Sequence, residues 1–136
     1  MKCFEDNLVK VFYYEEYKTG LGTWRGNGIG EDYKKSMSGI SDLIAEKKIV
    51  GWVADISNFD VVSKENKDWV NTVWFLSVIG AGLKRLAVVI PSNIFGKMSA
   101  EEVLAKVTDQ VYIKHFDNLD SARAWIKSEV MVSSYH

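Results

Sequence analysis

The segment from Asn7 to Tyr14 is dense in β-branched and aromatic residues (Val9, Val11, Phe12, Tyr13, Tyr14) and predicts a strand. Leu21 to Arg25, with Trp24 as its large residue, predicts a second. The polar stretch Glu15 to Gly20 between them reads as a hairpin loop, so the two strands are expected to be antiparallel neighbours. Beyond the glycine-rich stretch Gly26 to Gly30 the period changes. Tyr33, Met37, Ile40, Ile44 and Lys47 form a helical stripe, with Glu31 and Asp32 in its first turn and Lys47 and Lys48 in its last, as the helix dipole favours. Ile49 to Ile56 is almost continuously apolar and predicts a strand buried on both faces. Ser57 to Val62 reads as a loop, and Ser63 as the N-cap of a second helix that runs to about Gly80. Arg85 to Ile90 is a further buried strand, stopped by Pro91. Ser99 opens a capping-box pattern and predicts a helix through Asp109. Val111 to Phe116 is the last predicted strand, and Asn118 caps a final helix bearing Leu119, Ala122, Trp125 and Ile126.

This order, ββαβαβαβα, predicts an α/β fold: a mixed, mostly parallel five-stranded sheet with four helices and an antiparallel first strand. One domain over residues 1–136 is expected from the length. Apolar residues are 47% of the chain, too many for a disordered segment. Seventeen Lys and Arg balance 18 Asp and Glu, a net charge of −1 with no basic block, so nucleic acid is not an expected partner. The single cysteine, Cys3, suits a reducing compartment. No apolar run is long enough to span a membrane, and the opening MKCFEDNLVK lacks the apolar core of a signal peptide, so a cytoplasmic protein is expected.

Candidate chemistry is sparse. Glu31 stands where a dinucleotide fingerprint after Gly26 needs glycine, and with Asp32 it would repel a phosphate. Around Gly96 and Lys97 a P-loop is missing its hydroxyl, because Met98 follows. The two histidines, His115 and His136, and Cys3 give no metal-ligand spacing. No cofactor or metal is therefore expected. At the carboxyl ends of the parallel strands, where open α/β sheets bind ligands, lie Asp55, Ser57 and Asn58, then Ser63, and after the next strand Ser92, Asn93 and Lys97. This polar edge offers a small polar site or a phosphorylatable serine, or simply turn chemistry. Catalysis by acid and base needs a positioned titratable pair, and Asp55 stands alone, so an enzyme is not expected.

The second predicted helix carries the most information. Trp69, Val73, Leu76 and Gly80 form one stripe; Val70, Trp74, Ser77 and Ala81 form another about 100° away. Phe75, Val78 and Ile79 fill much of the rest, leaving Asn71, Thr72 and Ser77 as the polar residues from Trp69 to Ile79. Either neighbouring helices cover both flanks, or Val70, Trp74, Val78 and Ala81 form a homodimer interface, or they line an apolar ligand pocket.

Several segments together resemble the SpoIIAA-like group of STAS/SEC14-type domains. They are Trp24-Arg25-Gly26, Trp52 to Asn58, Asp68-Trp69, Arg85 to Pro91, Phe95 to Ser99 and Ala122 to Ile126. The resemblance implies a sheet with helices mainly on one side and a role in regulation or binding through a protein partner, with a small lipid-like ligand as the alternative. It also points to a phosphorylatable serine at the start of the second helix. Here that position reads Val62-Ser63-Lys64-Glu65, without the Asp, the paired hydroxyls and the Gly of the family's motif. Ser63 is accordingly expected to be a cap and not a switch.

Overall fold

The computed structural model describes the backbone of residues 1–96, 104–106 and 111–134, and the side chains of 1–96 and 111–128. The strands are β1 (Lys2–Glu5), β2 (Val9–Tyr14), β3 (Thr19–Trp24), β4 (Gly26–Gly28), β5 (Gly51–Asp55), β6 (Phe59–Val62), β7 (Arg85–Val89), β8 (Leu104–Lys106) and β9 (Tyr112–Phe116). The helices are α1 (Glu31–Lys47), α2 (64–80), α3 (Ser92–Phe95) and α4 (Leu119–Ser134). Among the described residues the main sheet has seven strands in the order β1-β2-β3-β5-β7-β9-β8, and β4 and β6 form a separate two-stranded ribbon. β2 and β3 are the expected antiparallel pair, and β3, β5, β7 and β9 run parallel.

The class is thus the α/β mixed sheet read from the sequence, with more strands than five. β1 adds an outer antiparallel strand to β2. It is short and charged at both ends, so it carries little hydrophobic signal, and the backbone bonds of the β2 edge hold it. The segment read as a loop after Ser57 contains β6, and the glycine connection contains β4; the two pair in parallel. Gly28 is required there, since a Cβ would lie 2.8 Å from Cγ2 of Val62. The helix expected from Ser99 to Asp109 is also corrected, because residues 104–106 are β8, antiparallel to β9. An open sheet edge supplies partners that local propensity does not register. The remainder of that predicted helix, and Lys97, lie outside the described residues.

Two cores sandwich the sheet. On one face α1 buries Tyr33, Met37, Ile40, Leu43 and Ile44 against Val9, Val11, Trp24 and Trp52, and α2 adds Trp74 and Val78. On the other face α4 buries Ala122 and Ile126 against Leu21, Val53, Ala87 and Val89. Helices therefore cover both faces, two against one. Lys47, at the end of the α1 stripe, is half-buried with its ammonium 5.8 Å from the centre of the Tyr13 ring.

Helix α2 is interrupted by a π turn over Val70–Trp74, closed by the Phe75 N–H donating to the Val70 carbonyl. The extra residue splits the two stripes read at regular helical spacing. Trp69 packs on the core, whereas Val73 and Leu76 are 50% and 66% exposed. Val78 is fully buried, Val70 and Ala81 are half-buried, and Ser77 is exposed. Trp74 is 4% exposed, and its indole N–H donates to the Met37 carbonyl of α1 at 2.7 Å. The tryptophan is committed to the helix–helix seam within one chain.

Candidate functional site

A single physical theme runs through the face under α2: large rings and small residues in alternation. Gly20 and Gly22 lie on this face of β3, and a Cβ at Gly20 would fall 2.2 Å from the Trp52 ring. The glycines let the Trp52 indole lie flat across β3. Ahead of that ring the sheet surface drops to Ala54, and in register beside it Leu86 and Val88 line β7. Between α2, with its π turn, and this step in the sheet lies a cavity of about 230 Å³.

Its floor is Trp52, Ala54, Leu86 and Val88; Met37 and Ile40 close it from α1, and Val70, Trp74 and Phe75 from α2. At the carboxyl ends of the strands a third wall is built from Trp24, Tyr33 and Phe59. The Tyr33 and Phe59 rings stack at 5.9 Å and 19°, and Trp24 tilts against both at 5.4 and 5.2 Å. Trp74 and Phe75 meet edge to face at 5.3 Å. Such ring contacts keep the walls rigid. Half-buried Ile56, Phe59, Val62, Val70, Phe75 and Val88 mark the open side. Among the described residues the one ionisable side chain of this wall is Tyr33, neutral at physiological pH like any tyrosine, with its pKa pushed further up to about 12 by burial.

The ribbon holding Phe59 and Val62 over the cavity is tied down by Asn66. This side chain is 1% exposed, and its amide donates to the carbonyls of Gly28 at 2.6 Å and Gly30 at 3.0 Å. Gly26 and Gly30 both adopt positive φ, which lets the chain turn into the ribbon and out of it into α1. The segment is thus a fixed wall of the cavity.

Of the residues singled out from the sequence, Val70 and Trp74 line the cavity, Val78 lies in the core behind them and Ala81 packs against that core at the end of α2. The polar edge divides into local turns and caps. Both the hydroxyl and the N–H of Ser57 donate to Oδ1 of Asp55, at 2.7 and 3.1 Å. Asn58 is exposed. Ser63 accepts from the Asn66 N–H at 3.2 Å, the expected N-cap. Ser92 and Asn93 are exposed at the start of α3. His115 sits in β9 opposite Val88. Among the described residues no group of three or more His, Cys, Asp or Glu is placed to hold a metal ion. Trp24, Tyr33, Trp52, Phe59 and Asn66 escaped the sequence reading as site residues. The alternating glycines opposite Trp52 were the available sign, whereas Phe59 stood in an apparent loop.

The fold is that of an α/β domain with an apolar cavity between α2 and one face of its sheet. The SpoIIAA-like family model matches residues 23–127, and the chain belongs to that family. Among solved structures it is similar to an uncharacterised protein of the DUF3478 family with a SpoIIAA-like fold from Shewanella loihica PV-4. Identity is 18% with a TM-score of 0.51, over 91% of this chain and 99% of the other, which speaks to the fold. The comparison with curated proteins finds no match. Among the described residues no helix is long and apolar enough to cross a membrane.

Proposed function

We propose that this SpoIIAA-like protein is a non-catalytic binding domain that holds a small apolar molecule in the cavity beneath α2. The cavity itself carries the reading: about 230 Å³ of space on the sheet face under α2, walled by aromatic and aliphatic side chains. Asp55 and Ser57, the groups nearest to acid–base chemistry, are occupied in a local turn and do not line the cavity. The experiment is thermal unfolding with a panel of small apolar compounds. A compound present at 100 times its Kd adds about 2.7 kcal/mol, so a ligand should raise Tm by several degrees. The reading fails if no member of the panel moves it.

Regulation through a protein partner is a second reading. It draws on Val73 and Leu76, exposed one turn apart on the outer face of α2. With a second copy of the chain as that partner, contact there leaves the cavity untouched, so Leu76→Ser would weaken self-association in light scattering without altering the ligand-induced shift.

A further inference from the structure

The shape and charge of the cavity narrow its occupant. We infer that it selects an uncharged, flat aromatic molecule of about two fused rings, an inference that rests on the cavity being the ligand site. Size sets the scale. An engineered apolar cavity of about 150 Å³ takes up benzene; at about 230 Å³ this one has room for a second fused ring. A long acyl chain would fill it with only part of its length and leave the rest outside the open side.

Charge excludes anions and cations alike. Among the described residues no Asp, Glu, Lys, Arg or His lines the cavity. A carboxylate or ammonium carried inside would lose its hydration with no partner to replace it.

The walls then favour rings over chains. The stacked Tyr33 and Phe59 with tilted Trp24, the edge-to-face Trp74 and Phe75, and the flat-lying Trp52 offer ring faces and edges from three sides. A planar guest gains offset-stacked or edge contacts with them and has no internal rotations to lose. A flexible chain of equal size must freeze several torsions to fit the same space.

Three probes with a similar number of heavy atoms separate these terms: naphthalene, 2-naphthoate and 1-nonanol, titrated into the whole chain and followed by NMR at the tryptophan indole N–H groups. Naphthalene should give saturable shifts at Trp74 and Trp24, and bind at least about tenfold more tightly than the other two. In Ala54→Leu, which fills the floor of the cavity, its affinity should fall at least about tenfold while the unfolding midpoint stays within a few degrees. Nonanol binding as tightly as naphthalene overturns the aromatic preference and leaves the apolar-site reading standing. Naphthoate binding as tightly overturns the charge argument. Undiminished naphthalene binding in a folded Ala54→Leu places the guest elsewhere and overturns the site. If naphthalene and nonanol both fail to bind, this inference and the apolar-site reading fall together. Should Ala54→Leu fail to fold, Val88→Phe fills the neighbouring floor position and decides the same point.

Discussion

Asn66 shows how much of this molecule hangs on one side chain. Its amide satisfies two backbone carbonyls from a segment more than thirty residues earlier in the chain, and so joins the start of α2 to the ribbon and to the start of α1. A buried carbonyl deprived of its donor bears a desolvation cost that an exposed one escapes. Gly28 keeps a weaker bond from the Ser63 N–H at 3.2 Å, and Gly30, exposed at the N-cap of α1, keeps water and the helix's first N–H as partners for its carbonyl. Asn66→Ala should cost about 1–2 kcal/mol in urea unfolding, since two hydrogen bonds from a buried amide are lost. Asn66→Asp should cost at least as much at neutral pH, because a carboxylate would replace the donor and face two carbonyl oxygens. A loss below about 0.5 kcal/mol in Asn66→Ala would show that the ribbon needs no clamp. Tyr33 belongs to the same scale. Its phenol titrates above the ordinary tyrosine value, at about 12, with burial as the cause.

At the scale of an element, α2 does two things at once. Its first turn is stabilised locally: Ser63 caps it, and Lys34 of α1 bridges to Glu65 at 3.1 Å, an exposed pair of small energetic weight. Its middle holds the π turn, within which Trp74 bonds to α1 and lines the space above Ala54. Since the cap acts through one acceptor oxygen, Ser63→Ala should cost about 1 kcal/mol. Ser63→Asp should match the wild type within about 0.5 kcal/mol, Asp being an equally good N-cap. Urea unfolding of both variants decides the matter. A marked loss in Ser63→Asp with the fold kept would revive a role for Ser63 as a charge-sensitive switch. Ser63 is engaged as a cap, which supports a structural task at the position where the family resemblance points to a phosphorylatable serine.

For the whole molecule, the sheet's outer end is fastened by Asp6, in the turn between β1 and β2. Its Oδ2 accepts from the buried Ser36 hydroxyl of α1 at 2.6 Å, and its Oδ1 accepts from the N–H groups of Leu8 and Val9 at 2.8 and 2.9 Å. Partial burial alone would raise its pKa; the hydrogen bonds from Ser36, Leu8 and Val9, helped by the Arg25 charge, outweigh it and hold the carboxyl below its ordinary value. A carboxyl whose folded pKa is lowered stabilises the fold above its unfolded pKa, about 4, and that stability is lost as pH falls through the folded value. Stability should therefore be level from neutral pH down to about 5 as far as Asp6 is concerned, and decline below about 4. Asp6→Asn should flatten that decline in a series of urea unfolding curves between pH 2 and 7. An unchanged acid limb would show that other carboxyls set it.

The periodicity of the chain was enough for the antiparallel start, the α1 stripe and the caps at Ser63 and Asn118, each decided within a few neighbouring residues, and the alternation of strands with helices gave the class of fold and its parallel core strands. The elements that escaped it depend on partners distant in sequence. β1 and β8 are short segments held by sheet edges, and β4 and β6 exist because Gly28 and Val62 meet across more than thirty residues. The candidate site shows the same division. Val70 and Trp74 stood out as apolar residues on a helix with no polar back, but a helical wheel at regular spacing cannot foresee a π turn. Nor can it tell that Trp74 faces α1 while Val73 and Leu76 face out. The cavity is a volume left over when Trp52 lies flat on two glycines and α2 arches above Ala54. A leftover volume is set by how separate elements pack, and for that reason only the tertiary structure decided it.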